Sequence, residues 1–132
     1  MLYVDTSALL KRYIAEEDSE TCERHLLADP VWVTGRHTLI EVRRNLARLL
    51  VDEALDAANA SFAEDWRRTA IVELTATTCE RAAEVAEATG ARSLDALHIA
   101  AAMRVGGPLA FITYDVRQAV AARQLGLLVI GV

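Results

Sequence analysis

The chain has 132 residues and a mass of 14.4 kDa, with 53% hydrophobic and 25% charged residues and a formal net charge of −5. That length suits one domain that needs no disulfide or metal staple, and the balance is that of a folded chain. The acidic surplus argues against a generic electrostatic nucleic-acid binder, so any chemistry on nucleic acid has to come from a local site. Met1-Leu2-Tyr3 lacks the basic start of a signal peptide, and no apolar run approaches the roughly 18 residues of a membrane span. Cys22 and Cys79 form no zinc spacing and no C-x-x-C pair. The expectation is a single domain over residues 1–132 in the cytoplasm, with both thiols buried or half-buried.

Leu2-Tyr3-Val4 predicts a short buried strand, and Leu9, Leu10, Tyr13 and Ile14 place a helix over Thr6–Ala15. A second helix is expected over Ser19–Leu27, ending before Asp29-Pro30, because the residue ahead of a proline is driven out of helical space. Val31-Trp32-Val33-Thr34 is β-branched and aromatic and predicts a strand. A helix over Thr38–Val51 carries the stripe Leu39, Val42, Leu46, Leu49 and Leu50, and Asp52 is expected to cap a longer helix reaching Arg68. Ala70–Leu74 reads as a strand. Thr77 and Glu80 have capping-box spacing, and Gly90 suits the end of the helix that follows. Ser93–Val105 is apolar nearly all round and predicts a buried helix, ended by Gly106-Gly107-Pro108. A strand over Leu109–Thr113, a helix over Val116–Leu125 and a strand over Leu127–Ile130 complete the chain. Strands alternating with helices predict an α/β sandwich with a mostly parallel sheet, and the near-continuous apolar strands agree.

Open α/β sheets bind ligands at the carboxyl ends of their strands. Asp5 ends the first strand and Asp115 follows the fourth, while Glu41 and Asp95 lie within the first turns of helices predicted to pack near that edge. Each has a plain alternative: Asp5 and Asp115 as helix caps, Asp95 as a first-turn acid beside an N-cap at Ser93, and Glu41 on a solvated face with His37, Thr38, Arg44, Asn45 and Arg48. If the four converge, two unit charges about 5 Å apart repel by about 3 kcal/mol at an effective dielectric of 20. Such a cluster either protonates or holds a divalent cation, and hard oxygen donors without a His or Cys cluster point to Mg²⁺ or Mn²⁺ rather than Zn²⁺. Carboxylate-held Mg²⁺ commonly works on phosphate oxygens.

The segments Met1-to-Lys11, Leu94-Asp95-Ala96-Leu97-His98-Ile99-Ala100-Ala101-Ala102 and Phe111-Ile112-Thr113-Tyr114-Asp115, with the helix and strand after the last and Glu41 in between, occur in register along the chain. Together they resemble the PIN-domain ribonucleases, and within them the VapC-type toxins of bacterial type II toxin–antitoxin pairs. The resemblance implies a PIN-like three-layer sandwich. It also implies an endoribonuclease that uses Mg²⁺ or Mn²⁺ to activate water at an RNA phosphodiester. Asp5, Asp95 and Asp115 would be the metal ligands, and Glu41 a further ligand or the group that handles the water. Thr6, Ser7 and Thr113 are expected either to orient those carboxylates or a phosphate oxygen, or simply to satisfy helix-start amides. Arg36, Arg43, Arg44 and Arg48 are expected to contact phosphate or to form a solvated face, and Arg92 to touch substrate or tether a carboxylate.

The resemblance further implies a VapB-type antitoxin from the same operon and a homodimer. The antitoxin's C-terminal segment would lie in an apolar groove involving the helices that carry Leu9, Leu10, Tyr13 and Ala54–Trp66; ordinary core packing is the alternative for Tyr13 and Trp66. Transfer, ribosomal and messenger RNA are all compatible substrates. The rival reading in kind is a PIN fold that binds RNA or a partner without cutting it. A haloacid-dehalogenase-type phosphatase would need an acid where Ser7 stands, and a receiver domain would need a strand-end lysine near the C-terminus, whereas Lys11 is the only lysine. No nucleotide-binding glycine loop is present, and His25, His37 and His98 form no H-E-x-x-H spacing; His98, inside an apolar helix, is expected to be a packed side chain.

Overall fold

Leu2, Tyr3 and Val4 are all buried although consecutive side chains of a strand point to opposite faces, because the sheet they enter is covered on both sides. The computed structural model describes residues 1–132. Its elements are β1 (Leu2–Val4), α1 (Thr6–Leu10), α2 (Ser19–Ala28), β2 (Trp32–Gly35), α3 (Thr38–Leu49), α4 (Asp52–Arg68), β3 (Ala70–Val72), α5 (Ala76–Thr89), α6 (Ser93–Val105), β4 (Ala110–Thr113), α7 (Val116–Gln124) and β5 (Leu128–Gly131). The five strands form one sheet in the order β3-β2-β1-β4-β5, and every pairing is parallel, with Leu2 opposite Trp32 on one side and Ala110 on the other.

The pleat divides the core in two. Tyr3, Val33 and Phe111 face α5, α6 and α7, joining Ala82, Val85, Ile99, Ala100, Ala101 and Ala122. Leu2, Val4 and Ile112 face α1 to α4, joining Leu9, Cys22, Leu26, Val42, Leu46 and Phe62. The result is the expected three-layer α/β sandwich. The sheet order also has a functional consequence. From β1 the chain builds outward one way to β2 and β3, then crosses back to build the other way through β4 and β5. The crevice beyond the carboxyl ends of β1 and β4 is therefore the switch point, where open sheets of this kind take ligands.

Several element ends differ from expectation. α1 stops at Leu10 instead of Ala15: the amides of Lys11, Arg12 and Tyr13 bond three residues back, to Ala8, Leu9 and Leu10, so the helix tightens into turns. Beyond it Lys11 pairs with Glu16 and Asp18, and Arg12 with Glu23 and Asp65, tertiary partners that no local pattern announces. Val51, not Asp52, takes the cap position of α4, with Asp52 its first residue at φ 49°, a conformation that Asp tolerates. Thr75 rather than Thr77 caps α5, accepting from the Thr78 amide, while Gly90 ends that helix in the left-handed conformation as expected. Arg92 precedes α6 without a side-chain cap, and Ser93 is already helical. β3 ends at Val72, where the Glu73 carbonyl accepts the Thr78 hydroxyl at 2.8 Å as the chain turns into α5. Cys22 is buried, but Cys79 is exposed, contrary to the expectation for both thiols.

Candidate functional site

Two carboxylates reach the switch point directly from strand ends. Asp5 follows β1 and accepts the Ala8 amide at 2.9 Å through Oδ1; Asp115 follows β4 and accepts the Arg117 and Gln118 amides at 2.8 and 3.1 Å through Oδ1. The capping role is therefore real for both; the second oxygen of Asp5 is met by Thr113 of β4, and that of Asp115 by Arg92. Hydroxyls stitch the two ends together. Ser7 donates to Asp5 at 2.8 Å and accepts the Tyr114 amide at 2.8 Å; Thr113 donates to Asp5 Oδ2 at 2.7 Å and accepts the Asp115 amide at 3.1 Å. Ser7 and Thr113 thus orient carboxylates. Burial pushes the Asp5 carboxyl above its usual range, opposed by His98 and by the hydrogen bonds from Ala8, Thr113 and Ser7.

Glu41 comes from α3, on the opposite face of the sheet from α6, and the two helices meet beyond the strand ends. Thr6 donates to Glu41 Oε2 at 2.7 Å, and His98 Nε2 lies 2.8 Å from the same oxygen. The Tyr3 hydroxyl engages His98 Nδ1 at 3.0 Å, so both ring nitrogens are occupied. Burial raises the Glu41 carboxyl, but the hydrogen bonds and charge of His98, with Thr6, outweigh it and leave the group below its ordinary value. Oε1 has no hydrogen bond from the protein and is the oxygen available for chemistry. The expectation of a solvated face around Glu41 fails for His37 and Thr38, which are buried. Burial first, then the neighbouring His98, lowers the His37 imidazole to about 3, with Glu41 pulling the other way. His98 is packed as expected, yet it also belongs to the polar network, a role that an apolar helical context conceals.

Asp95 enters from the first turn of α6. Arg92 bridges it to Asp115, its Nε donating to Asp95 Oδ2 at 2.9 Å and its Nη2 to Asp115 Oδ2 at 3.0 Å, and Gln118 reaches Asp95 Oδ1 at 3.4 Å. Of the two expectations for Arg92, tethering is the one seen. The four acids are thereby joined in one connected set: Glu41 through Thr6 to the Asp5 segment, Asp5 through Thr113 to Asp115, and Asp115 through Arg92 to Asp95. The remaining arginines stay outside it. Arg36 pairs with Glu73, Arg48 leans on Asn45, and Arg43 and Arg44 are exposed along α3.

A groove of about 610 Å³ opens between α3 and α4, lined by Leu39, Arg43, Asn59, Phe62, Trp66 and Arg67 among others. The α4 side of the groove expected from sequence is present, but α3 stands opposite it in place of α1. Leu9 is fully in the core, and Tyr13 packs edge-on to Phe62 at 5.8 Å while donating to Asp65 at 2.7 Å, so neither faces the groove.

Set beside known proteins, the chain matches the PIN domain family over residues 2–124. It belongs to that family. Within it the chain belongs with the VapC-type proteins: it is 33% identical to Ribonuclease VapC35 of Mycobacterium tuberculosis, over 99% of this chain and 96% of the relative. It is also 33% identical to Ribonuclease VapC49 of the same organism, over 82% and 78%. Among solved structures, M. tuberculosis VapC20, described as a sarcin–ricin loop cleaving toxin, superposes with a TM-score of 0.74 at 25% identity over 92% of this chain and 95% of that one. FitAcB from Neisseria gonorrhoeae superposes with a TM-score of 0.79 at 17% identity over 99% and 97%, which shows the shared fold.

Proposed function

We propose that this chain is a Mg²⁺- or Mn²⁺-dependent endoribonuclease acting as the toxin of a toxin–antitoxin pair. The observation that carries the proposal is the connected set of four carboxylates at the β1–β4 switch point, in a chain whose full-length relatives are named ribonucleases. The residues fit a hard divalent ion. All the donors are carboxylate oxygens, Asp5 is desolvated without a cation of its own, and Asp95 and Asp115 already share one positive charge, that of Arg92. Asp5, Asp95, Asp115 and Glu41 would hold the ion, which when bound supplies charge neutralisation at a phosphodiester and acidifies water.

The chain's own residues do the rest. Thr6, Ser7 and Thr113 lock the carboxylates in place before substrate arrives, so little reorganisation remains at the moment of reaction. Oε2 of Glu41 is committed to Thr6 and His98, so Oε1 alone serves, either as the further ligand to the ion or as the group that takes the proton of the attacking water. An RNA strand is the substrate class in this reading, with Arg43 and Arg44 on the exposed side of α3 as candidate phosphate contacts. The α3–α4 groove is the proposed seat of a VapB-type antitoxin segment. A homodimer and a cytoplasmic location complete the reading; no helix is long and apolar enough to cross a membrane.

Purified protein incubated with total RNA and Mg²⁺ should yield new, mappable ends. The ends should disappear with EDTA and in Asp95→Asn. Cleavage that survives chelation, or no cleavage with either Mg²⁺ or Mn²⁺, would turn the assignment into that of a PIN fold that binds without cutting. A second expectation concerns Arg92, whose side chain is 62% exposed. Arg92→Ala should leave the melting temperature nearly unchanged, since its ion pairs are solvent-screened. The same change removes the cation competing for Asp95 and Asp115, so the Mg²⁺ concentration giving half-maximal thermal stabilisation should fall severalfold. A rise in that concentration would show that Arg92 supports the site instead.

A further inference from the structure

His37 is unusual among the polar residues of the core. The residue is 3% exposed, yet neither ring nitrogen has a hydrogen-bond partner. An orphaned buried polar atom is costly, and native structures keep few of them without a reason. The surroundings are shaped to admit the ring: a Cβ on Gly35 would fall inside contact distance of both His37 Cε1 and Nδ1, so only glycine leaves the space. The ring stands one helical turn ahead of Glu41, with Nε2 3.9 Å from Glu41 Oε2, and tilts against the His98 ring at a centroid separation of 4.1 Å. His98 Nε2 approaches the same Glu41 oxygen at 2.8 Å. Two imidazoles and a carboxylate, from helices on opposite faces of the sheet, therefore converge on one point.

We infer that His37, Glu41 and His98 form a site for a transition-metal cation of the zinc class, separate from the aspartate cluster and sharing only Glu41 with it. No two of the three donor atoms are more than 4.8 Å apart. Half that span is about 2.4 Å, a few tenths of an ångström beyond a zinc–imidazole bond, so side-chain adjustment suffices. The donor chemistry selects the ion. Imidazole nitrogen suits Zn²⁺, Co²⁺ and Ni²⁺, whereas Mg²⁺ prefers oxygen and water. His98 carries the outer-sphere partner that ligating histidines usually have, since the Tyr3 hydroxyl at Nδ1 fixes the ring and leaves Nε2 to the site. Opening the site requires the Nε2 proton of His98, now given to Glu41, to leave or shift to Nδ1, where Tyr3 can accept it. The ion enters from the Glu41 side, the one partly exposed member of the three.

The experiment titrates metal into the protein without RNA, in a Cys79→Ser background that removes the exposed thiol. Calorimetry should show a zinc-binding event that survives a saturating excess of Mg²⁺, and Co²⁺ should develop visible absorption bands that zinc abolishes. His37→Gln and His98→Gln should each weaken zinc by at least about tenfold and lose the cobalt bands, while Asp95→Asn, which alters only the aspartate cluster, should retain both. An isotherm for His37→Gln equal to that of the parent, or a parent without cobalt bands, overturns the site. Should the variants fail to fold, the ring nitrogens of the unmodified protein decide the matter by NMR. Zinc must shift Nε2 of His37 and His98 and spare His25, and a response at His25 alone overturns the inference.

Discussion

Asp5→Asn is expected to lower RNA cleavage at saturating Mg²⁺ by about 10³-fold, the scale on which loss of one preorganised electrostatic contact to a reacting centre is felt. The fold should not suffer. An amide keeps the acceptor for the Ala8 amide, and the Thr113 hydroxyl can turn to accept from the new N–H. Neutralisation should even help at pH 7. Burial raises the Asp5 carboxyl in the folded state, so protonation favours the fold at low pH, and that contribution is lost as the pH rises through the folded value. At neutral pH the parent therefore carries a desolvated charge that the variant lacks. The variant should melt no lower than the parent near pH 7, and its advantage should shrink on acidification into the carboxylate range. Mg²⁺ should stabilise the parent by up to about 2.7 kcal/mol at a hundredfold excess over its dissociation constant and leave Asp5→Asn largely unmoved. Equal cleavage by variant and parent, or an equal response of both to Mg²⁺, would remove Asp5 from the site.

The second large effect lies beneath the site. Phe111→Ala should cost about 3–5 kcal/mol, as large-to-small changes of buried aromatics do. Phe111 is fully buried and stacks on Tyr3, its register partner across β1 and β4, with ring centroids 5.2 Å apart and planes within 4°. Against a total of roughly 5–15 kcal/mol for a domain, that loss brings the protein close to unfolding at physiological temperature. The denaturation midpoint should fall with an unchanged slope. Tyr3 also holds His98, and His98 holds Glu41, so the fraction that remains folded should cut RNA more slowly than the parent. A loss below about 1 kcal/mol would mean that α5, α6 and α7 collapse onto the gap and that the stack carries little.

The order and type of every element were legible from periodicity, because each apolar run has the length and flanks of one kind of structure. Their ends were less so. Thr75 caps α5 in place of Thr77, and α1 stops short where Arg12 finds Asp65, fifty-three positions away, a partner that local pattern cannot contain. Asp5 and Asp115 stood out for a physical reason: a charged residue directly after a buried strand has to emerge at the carboxyl edge of the sheet. Asp95 stood out against the alanines and leucines of its own helix. Arg92 was open between two readings until its guanidinium was seen spanning Asp95 and Asp115.

Composition and spacing were thus enough for the α/β class and for setting Asp5 and Asp115 at the carboxyl ends of β1 and β4, since strand burial and capping act over a few residues. The pairing of His37 with Glu41 and His98 belongs to a different range. His37 looks like a surface residue because it falls on one predicted helix face with Glu41, Arg44, Asn45 and Arg48, and His98 looks like filling because alanines surround it. Their contact forms only when α3 covers one face of the sheet and α6 the other, so that the start of α3 meets the second turn of α6.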